Sequence, residues 1–134
     1  MKKSTVLILL CLLTISCSND ETYSTWDMWN MAQDADSSIE LVKITDPSQR
    51  ILCENYGEGC IKGSGKRILV RRVELITVQF ESMEQARAEA KRLNQWYVRN
   101  WLLDDVTKEP VLENFAKSVF KAKRGHNPKS VIEE

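Results

Sequence analysis

The part of the chain that constrains the fold most is residues 66–103, whose pattern is a strand followed by a helix. Residues 66–80 are rich in β-branched, aliphatic and aromatic side chains and contain neither Gly nor Pro, as is typical of a strand. Arg72 and Glu74 interrupt its apolar face, and a bulge near Arg71 would let the strand change faces there. The pattern therefore predicts one long, bent strand.

A helix is predicted directly after this strand. Ser82 can accept hydrogen bonds from the first free backbone N–H groups, and Gln85 can complete a capping box. Apolar residues then recur at helical spacing on one face, at Ala86, Ala90, Leu93 and Tyr97. Residues 97–106 leave two alternatives open: the helix continues to about Trp101, which we favour, or the chain returns to the sheet as a strand.

The flanking segments supply further strands and a second helix. Residues 38–44 alternate in polarity and are a predicted first strand, and residues 50–53 are a predicted short second strand. A turn is predicted between them at Asp46 and Pro47. Pro110 suits the first turn of a helix that runs to about Lys123. These elements predict an α+β fold of two layers: a small antiparallel sheet with two helices packed on one face.

The N-terminus has the pattern of an export signal. Lys2 and Lys3 precede an apolar run over residues 6–15, which is too short to span a bilayer as a mature helix. The run ends with Ser16 and Cys17, a small residue directly before a cysteine. This end resembles the lipobox of bacterial lipoprotein precursors.

That resemblance implies an address in the bacterial cell envelope. Residues 1–16 would be removed as a signal peptide, and Cys17 would carry lipid that anchors the protein in a membrane, facing the periplasm or at the outer membrane. The mature chain is then expected to consist of an acidic tether (17–38), an α+β domain (39–124) and a flexible tail (125–134).

Two cysteines remain after Cys11 leaves with the signal and Cys17 is acylated. Cys53 and Cys60 flank a turn-rich loop, and an oxidising compartment favours a disulfide between them. Their spacing differs from the C-x-x-C of thiol oxidoreductases. Two cysteines and one distant histidine, His126, also do not predict a zinc site.

The predicted tether contains one unusual feature, an aromatic residue at every third position: Tyr23, Trp26 and Trp29. One interpretation is that these side chains fold back onto the domain or sit at lipid headgroups. The other is a docking motif for a partner protein, because Trp and Tyr are favoured anchors at interfaces.

Composition and motifs exclude several function classes. With 19 basic and 19 acidic residues, the chain lacks the basic excess of a dedicated nucleic-acid binder. The residues around Gly65 and Lys66 are not a phosphate loop, because Arg67 stands where Ser or Thr is needed. The sequence shows no nucleophile with a base, no metal cluster and no spaced carboxylate pair, so neither a cofactor nor a small-molecule substrate is predicted.

Three function classes remain. The favoured class is a non-catalytic envelope lipoprotein, a small binding or accessory component of a periplasmic or outer-membrane assembly with an envelope protein as its partner. The second is a peptidoglycan-binding module, because residues 77–80 with Ser82 and the following helix loosely resemble one half of the sporulation-related repeat. The third is a secreted enzyme.

Overall fold

The structure is a computed structural model that describes residues 22–126. The predicted signal peptide, Cys17 and residues 127–134 lie outside the described residues. Within the described part, the elements in chain order are α1 (Thr25–Ala35), β1 (Glu40–Leu41), β2 (Lys66–Val70), β3 (Val73–Gln79), α2 (Met83–Leu93), β4 (Trp96–Val98), β5 (Trp101–Asp104), α3 (Pro110–Ser118) and β6 (Lys123–Arg124). Two single 3-10 turns, Pro47–Gln49 and Cys53–Asn55, lie between β1 and β2.

The strands form one antiparallel sheet in the order β1-β2-β3-β5-β4-β6. The predicted α+β class with an antiparallel sheet is confirmed. The centre of the sheet is buried on both faces, as the fully buried Leu75 and Val78 of β3 and the neighbouring Leu102 of β5 show. The edges are formed by the two-residue strands β1 and β6, which suits a sheet that must avoid pairing with other chains.

Helices cover both faces of the sheet, so the fold has three layers instead of the two that the sequence predicted. Met28 and Ala32 of α1 and Phe115 of α3 belong to one apolar cluster, together with Leu75 of β3. Ala86 and Ala90 of α2 belong to a second cluster, on the opposite face; its sheet residues are Ile76, Val78, Phe80 and Leu102. The prediction that both helices pack on one face is therefore wrong, because α2 and α3 lie on opposite faces of the sheet.

Topology gives the physical reason for this arrangement. The chain crosses from β3 to β4 through α2 and from β5 to β6 through α3, and each crossover steps over one strand in the same direction along the sheet. Because β3 and β5 are antiparallel, two crossovers of the same hand place their helices on opposite faces. The sequence did not reveal the strand order on which this result depends.

The predicted long strand over residues 66–80 is a hairpin. β2 and β3 pair from Val70 with Val73 to Lys66 with Thr77, and the turn between them is made by Arg71 and Arg72. Both arginines have positive φ, 47° and 71°. Such turns favour Asn and Gly, so two arginines do not predict a turn. The one sequence feature at this position was the interruption of the apolar face.

Two further predicted boundaries are corrected. α2 ends at Leu93, because the left-handed φ of 53° at Asn94 stops the helix. Residues 97–106 therefore follow the second alternative, in which the chain returns to the sheet, here as the β4–β5 hairpin. α3 ends at Ser118 rather than near Lys123, because Lys121 has a positive φ of 56° and the chain then enters β6. Residues 50–53 form no strand; they lead into the 3-10 turn at Cys53.

Candidate functional site

The segment expected to be a mobile tether is helical and packed where the structure describes it. Ser24 caps α1 by accepting from the backbone N–H of Asp27, and the Asp27 carboxylate accepts from the N–H of Ser24, which completes a capping box. Met28 and Ala32 are buried against the sheet. Residues 25–35 therefore belong to the folded domain, although the acidic composition had favoured mobility.

The residue that precedes this helix is fixed to the domain by its backbone. The Tyr23 N–H donates to Oδ1 of Asn100 over 2.7 Å. The Tyr23 carbonyl accepts from the indole N–H of Trp101 over 2.9 Å. The guanidinium of Arg99 lies 4.0 Å from the centre of the Tyr23 ring, in a cation–π contact. The chain therefore enters the domain at a fixed point beside the β4–β5 turn.

An apolar groove runs between α1 and the edge of the sheet formed by β1 and β2. It has a volume of about 270 Å³, and Trp26, Met28, Trp29, Leu41, Ile68 and Phe120 are among its lining residues. Trp26 is 72% exposed and Leu41 is 55% exposed, so large apolar side chains stand open to solvent at its mouth. Sites that bind ligands or partners are typically concave and lined in this way.

The polar groups of the α1 groove are few and sit together. In the described part of the chain, Lys66 is the one charged residue that lines it. Lys66 of β2 is paired with Thr77 of β3, which also lines the groove. Directly paired residues of antiparallel strands project to the same face, so an ammonium and a hydroxyl stand side by side within an apolar surface.

The three predicted partner-binding aromatics have different environments. Trp26 projects into solvent at the mouth of the groove, whereas Trp29 is half-buried and packs against the core. Tyr23 is also half-buried and packs against the same core cluster. The interpretation that the aromatics fold back onto the domain is thus correct for Tyr23 and Trp29, while Trp26 has the exposure that docking requires.

The predicted cystine is present and closes a short loop within the segment between β1 and β2. Cys53 and Cys60 form a disulfide with their Cα atoms 5.5 Å apart. Glu89 of α2, only 3% exposed, accepts a hydrogen bond from the N–H of Gly57 inside the loop and pairs with Arg92. A buried carboxylate with two partners holds the loop against α2.

Asp104, at the end of β5, holds a tyrosine side chain and a backbone N–H. The Tyr56 hydroxyl donates to Oδ2 of Asp104 over 2.8 Å, and Oδ1 of Asp104 accepts from the Asp105 N–H over 2.9 Å. Burial, reinforced by the negative charge of Asp104, raises the pKa of Tyr56 far above its usual range. Burial, together with the same neighbouring charge, raises the pKa of Asp105.

Sequence reasoning missed Leu41, Lys66 and Asn100 as parts of this site. Leu41 and Lys66 are far apart in sequence and line the same groove because β1 and β2 pair, which periodicity cannot show. Asn100 follows Arg99 in the β4–β5 turn, and that turn was itself not predicted. The one available signal was the aromatic spacing, which pointed to Trp26.

Other site types find no support in residues 22–126. There, no group of three or more His, Cys, Asp or Glu side chains is placed to hold a metal ion. No helix in that range has the length and apolarity to cross a membrane. A scan against protein-family models, a search of curated proteins and a search of solved structures found no match to the chain.

Proposed function

We propose that the protein is a non-catalytic lipoprotein of the bacterial cell envelope, anchored through Cys17, that serves as a small binding or accessory component of an envelope assembly. The signal pattern and the lipobox resemblance of residues 13–17 support the anchor. The observation that carries the binding role is the α1 groove, with Trp26 exposed at its mouth on a helix that is packed onto the core.

A rigidly held apolar surface suits binding better than catalysis. The buried or half-buried polar side chains described above have partners within the fold: Glu89 holds Gly57, Asp104 holds Tyr56, and Asn100 holds Tyr23. These contacts stabilise the domain and leave apolar side chains, rather than acids, bases or nucleophiles, at the concave surface.

A third exposed apolar residue, Leu52, lies outside the groove. Leu52 precedes Cys53 and is 43% exposed, next to the loop that α2 holds. We assign contact with an envelope protein to one of these two apolar surfaces, the groove around Trp26 or the cystine loop around Leu52.

Photo-crosslinking in intact cells tests this role. A photoreactive amino acid replaces Trp26 in one variant and Leu52 in another, and the exposed Lys108 in the turn before α3 serves as the matched control. A discrete crosslinked band with an envelope protein from Trp26 or Leu52, absent from the Lys108 variant, is the expected result. Equal, diffuse labelling from all three positions would contradict an accessory role.

Peptidoglycan is a second candidate partner, supported by a polar surface on α2. Arg87 and Lys91 of α2, Arg124 of β6 and His126 surround Tyr97 in a shallow depression. The stem peptides of peptidoglycan carry carboxylates, which basic side chains bind. Cosedimentation with purified cell walls, lost in the R87A/K91A variant but retained in W26A, would support this partner, and no cosedimentation of the wild type would exclude it.

A further inference from the structure

We propose that the mouth of the α1 groove rests on the membrane surface, with Trp26 and Leu41 at the lipid interface and Lys66 and Arg99 facing headgroup phosphates. This inference rests on the proposed lipid anchor at Cys17 and names the bilayer as the partner of the groove.

The length of the chain between anchor and domain carries the first step. Four residues lie between Cys17 and Thr22, and the five Cα–Cα steps from one to the other span at most about 18 Å when fully extended. Thr22 is followed by Tyr23, whose backbone N–H and C=O are both held by the β4–β5 region. The point where the chain leaves the domain therefore stays within this short distance of the bilayer.

The groove lies on the same side of the molecule as that exit point. Trp101, whose indole holds the Tyr23 carbonyl, also lines the groove. Thr25 and Trp26, only two and three residues after Tyr23, line it as well. A domain tethered at this point therefore presents the groove, rather than α2 or the cystine loop, to the membrane.

The residues at the mouth match the chemistry of a membrane interface. Trp is enriched at the boundary between headgroups and acyl chains, where its apolar body and polar N–H are both satisfied. Trp26 and Leu41 would bury their exposed area there. Burial of exposed apolar area is favourable in lipid as it is in a protein interface.

Two cations accompany these apolar side chains. Lys66 can lay its apolar stem along the groove and extend its ammonium to a phosphate. Arg99 is half-exposed and stacks on Tyr23 next to the chain exit. Basic residues beside a membrane are attracted to anionic lipid headgroups.

The short connection to the lipid anchor favours the bilayer over a protein as the partner of the groove. A short tether holds the groove near lipid permanently, so the bilayer is present at a high effective concentration, whereas a protein must diffuse to the site. The cystine loop with Leu52 and the outer face of α2 then point away from the membrane and remain open to a protein or cell-wall partner.

Depth-dependent fluorescence quenching tests the inference. The processed protein, purified from membranes, is reconstituted into vesicles of phosphatidylcholine and phosphatidylglycerol with and without brominated acyl chains. Trp29, Trp96 and Trp101 are present in both proteins, so the difference between wild type and W26F isolates the signal of Trp26. We expect brominated lipid to quench the wild type and to quench W26F much less.

A matched variant and a charge variant sharpen the result. W26F/L52W moves the reporter to the cystine loop, where brominated lipid should leave its fluorescence unchanged. K66A should lower the ratio of docked to undocked protein about five-fold on vesicles with anionic lipid, and have little effect on vesicles of phosphatidylcholine alone.

The outcomes separate the anchor from the docking surface. Protein that fails to float with the vesicles has no anchor, which overturns the proposed function and this inference together. Protein that floats while Trp26 shows no quenching keeps its anchor and overturns the inference alone. A Trp26 photo-crosslink to a protein instead of lipid would also overturn it.

Discussion

Asn100 shows how one side chain links the start of the domain to its sheet. It is 2% exposed, accepts from the Tyr23 N–H over 2.7 Å and donates to the Phe80 carbonyl over 3.1 Å. Because its amide has both a donor and an acceptor, Asn satisfies two buried backbone groups that an apolar residue would leave unpaired. The position at which the chain enters the domain therefore depends on this residue.

Replacement of Asn100 by Ala should lower the free energy of unfolding by about 1–3 kcal/mol, because the partner groups lose their hydrogen bonds. Chemical denaturation measures this change. The exposed Asn114 of α3 offers the control, and N114A should change the free energy by less than about 0.5 kcal/mol. Equal stability of N100A and N114A would contradict the role assigned to Asn100.

The Tyr56 hydroxyl should make the protein sensitive to alkali. Burial and Asp104 raise the pKa of Tyr56 in the folded state, so only the unfolded chain releases this proton from about pH 10 upward. The contribution is complete below the unfolded pKa and is lost as the pH rises toward the folded pKa. The free energy of unfolding of the wild type, measured from pH 8 to 11, should therefore fall more steeply than that of Y56F. Parallel curves would show that the tyrosine keeps its ordinary pKa.

At the scale of elements, α1 is the part that the sequence predicted least well. Acidic residues and the lack of basic ones suggested a tether. The inner face of the helix is nevertheless buried against the domain through two side chains, Met28 and Ala32. Composition averages over both faces of a helix, so it hides a narrow apolar stripe. The hairpin at Arg71 and Arg72 escaped prediction for a related reason, because tertiary context imposes positive φ on residues that do not favour it.

A pair of variants tests whether α1 belongs to the folded unit. M28A removes a buried side chain and should lower the free energy of unfolding by about 2–5 kcal/mol, whereas W26A, at an exposed site, should change it by less than about 0.5 kcal/mol. Thermal unfolding monitored by circular dichroism provides the measurement. If M28A unfolds at the same temperature as the wild type, α1 is not part of the cooperative unit.

The cystine loop was predicted from spacing and compartment alone, and the disulfide is confirmed. Loss of the crosslink in C53S/C60S should cost about 2–3 kcal/mol by the chain-entropy argument for so short a loop. For a domain of this size the expected fall in melting temperature is at least about 8 °C. Other contacts also hold the loop: Glu89 binds the Gly57 N–H, and the backbones of Gly59 and Ile61 bond to those of Glu81 and Gln79. The double variant should therefore still fold. An unchanged melting temperature would show that these contacts suffice without the disulfide.

At the scale of the whole molecule, two helical layers enclose the sheet and give the domain two different faces. The face with α1 carries the groove and the chain exit, and the opposite face carries α2 and the cystine loop. The sequence predicted the α+β class, the β3–α2 succession and the Cys53–Cys60 disulfide. It could not predict the strand order, because that order follows from pairing between distant segments. The three layers and the placement of Leu41 and Lys66 in one groove depend on the strand order, so they were not predicted either.

The measurement that tests the account most directly is the intact mass of the protein extracted from native membranes, recorded without reductant and again with it. The account predicts a chain that begins at Cys17, carries acyl groups and is about 2 Da lighter before reduction than after, because reduction of the Cys53–Cys60 disulfide adds two hydrogens. A mass equal to that of the unprocessed chain with free thiols would contradict the envelope address, and the proposed anchor and the membrane contact of the groove would fall with it.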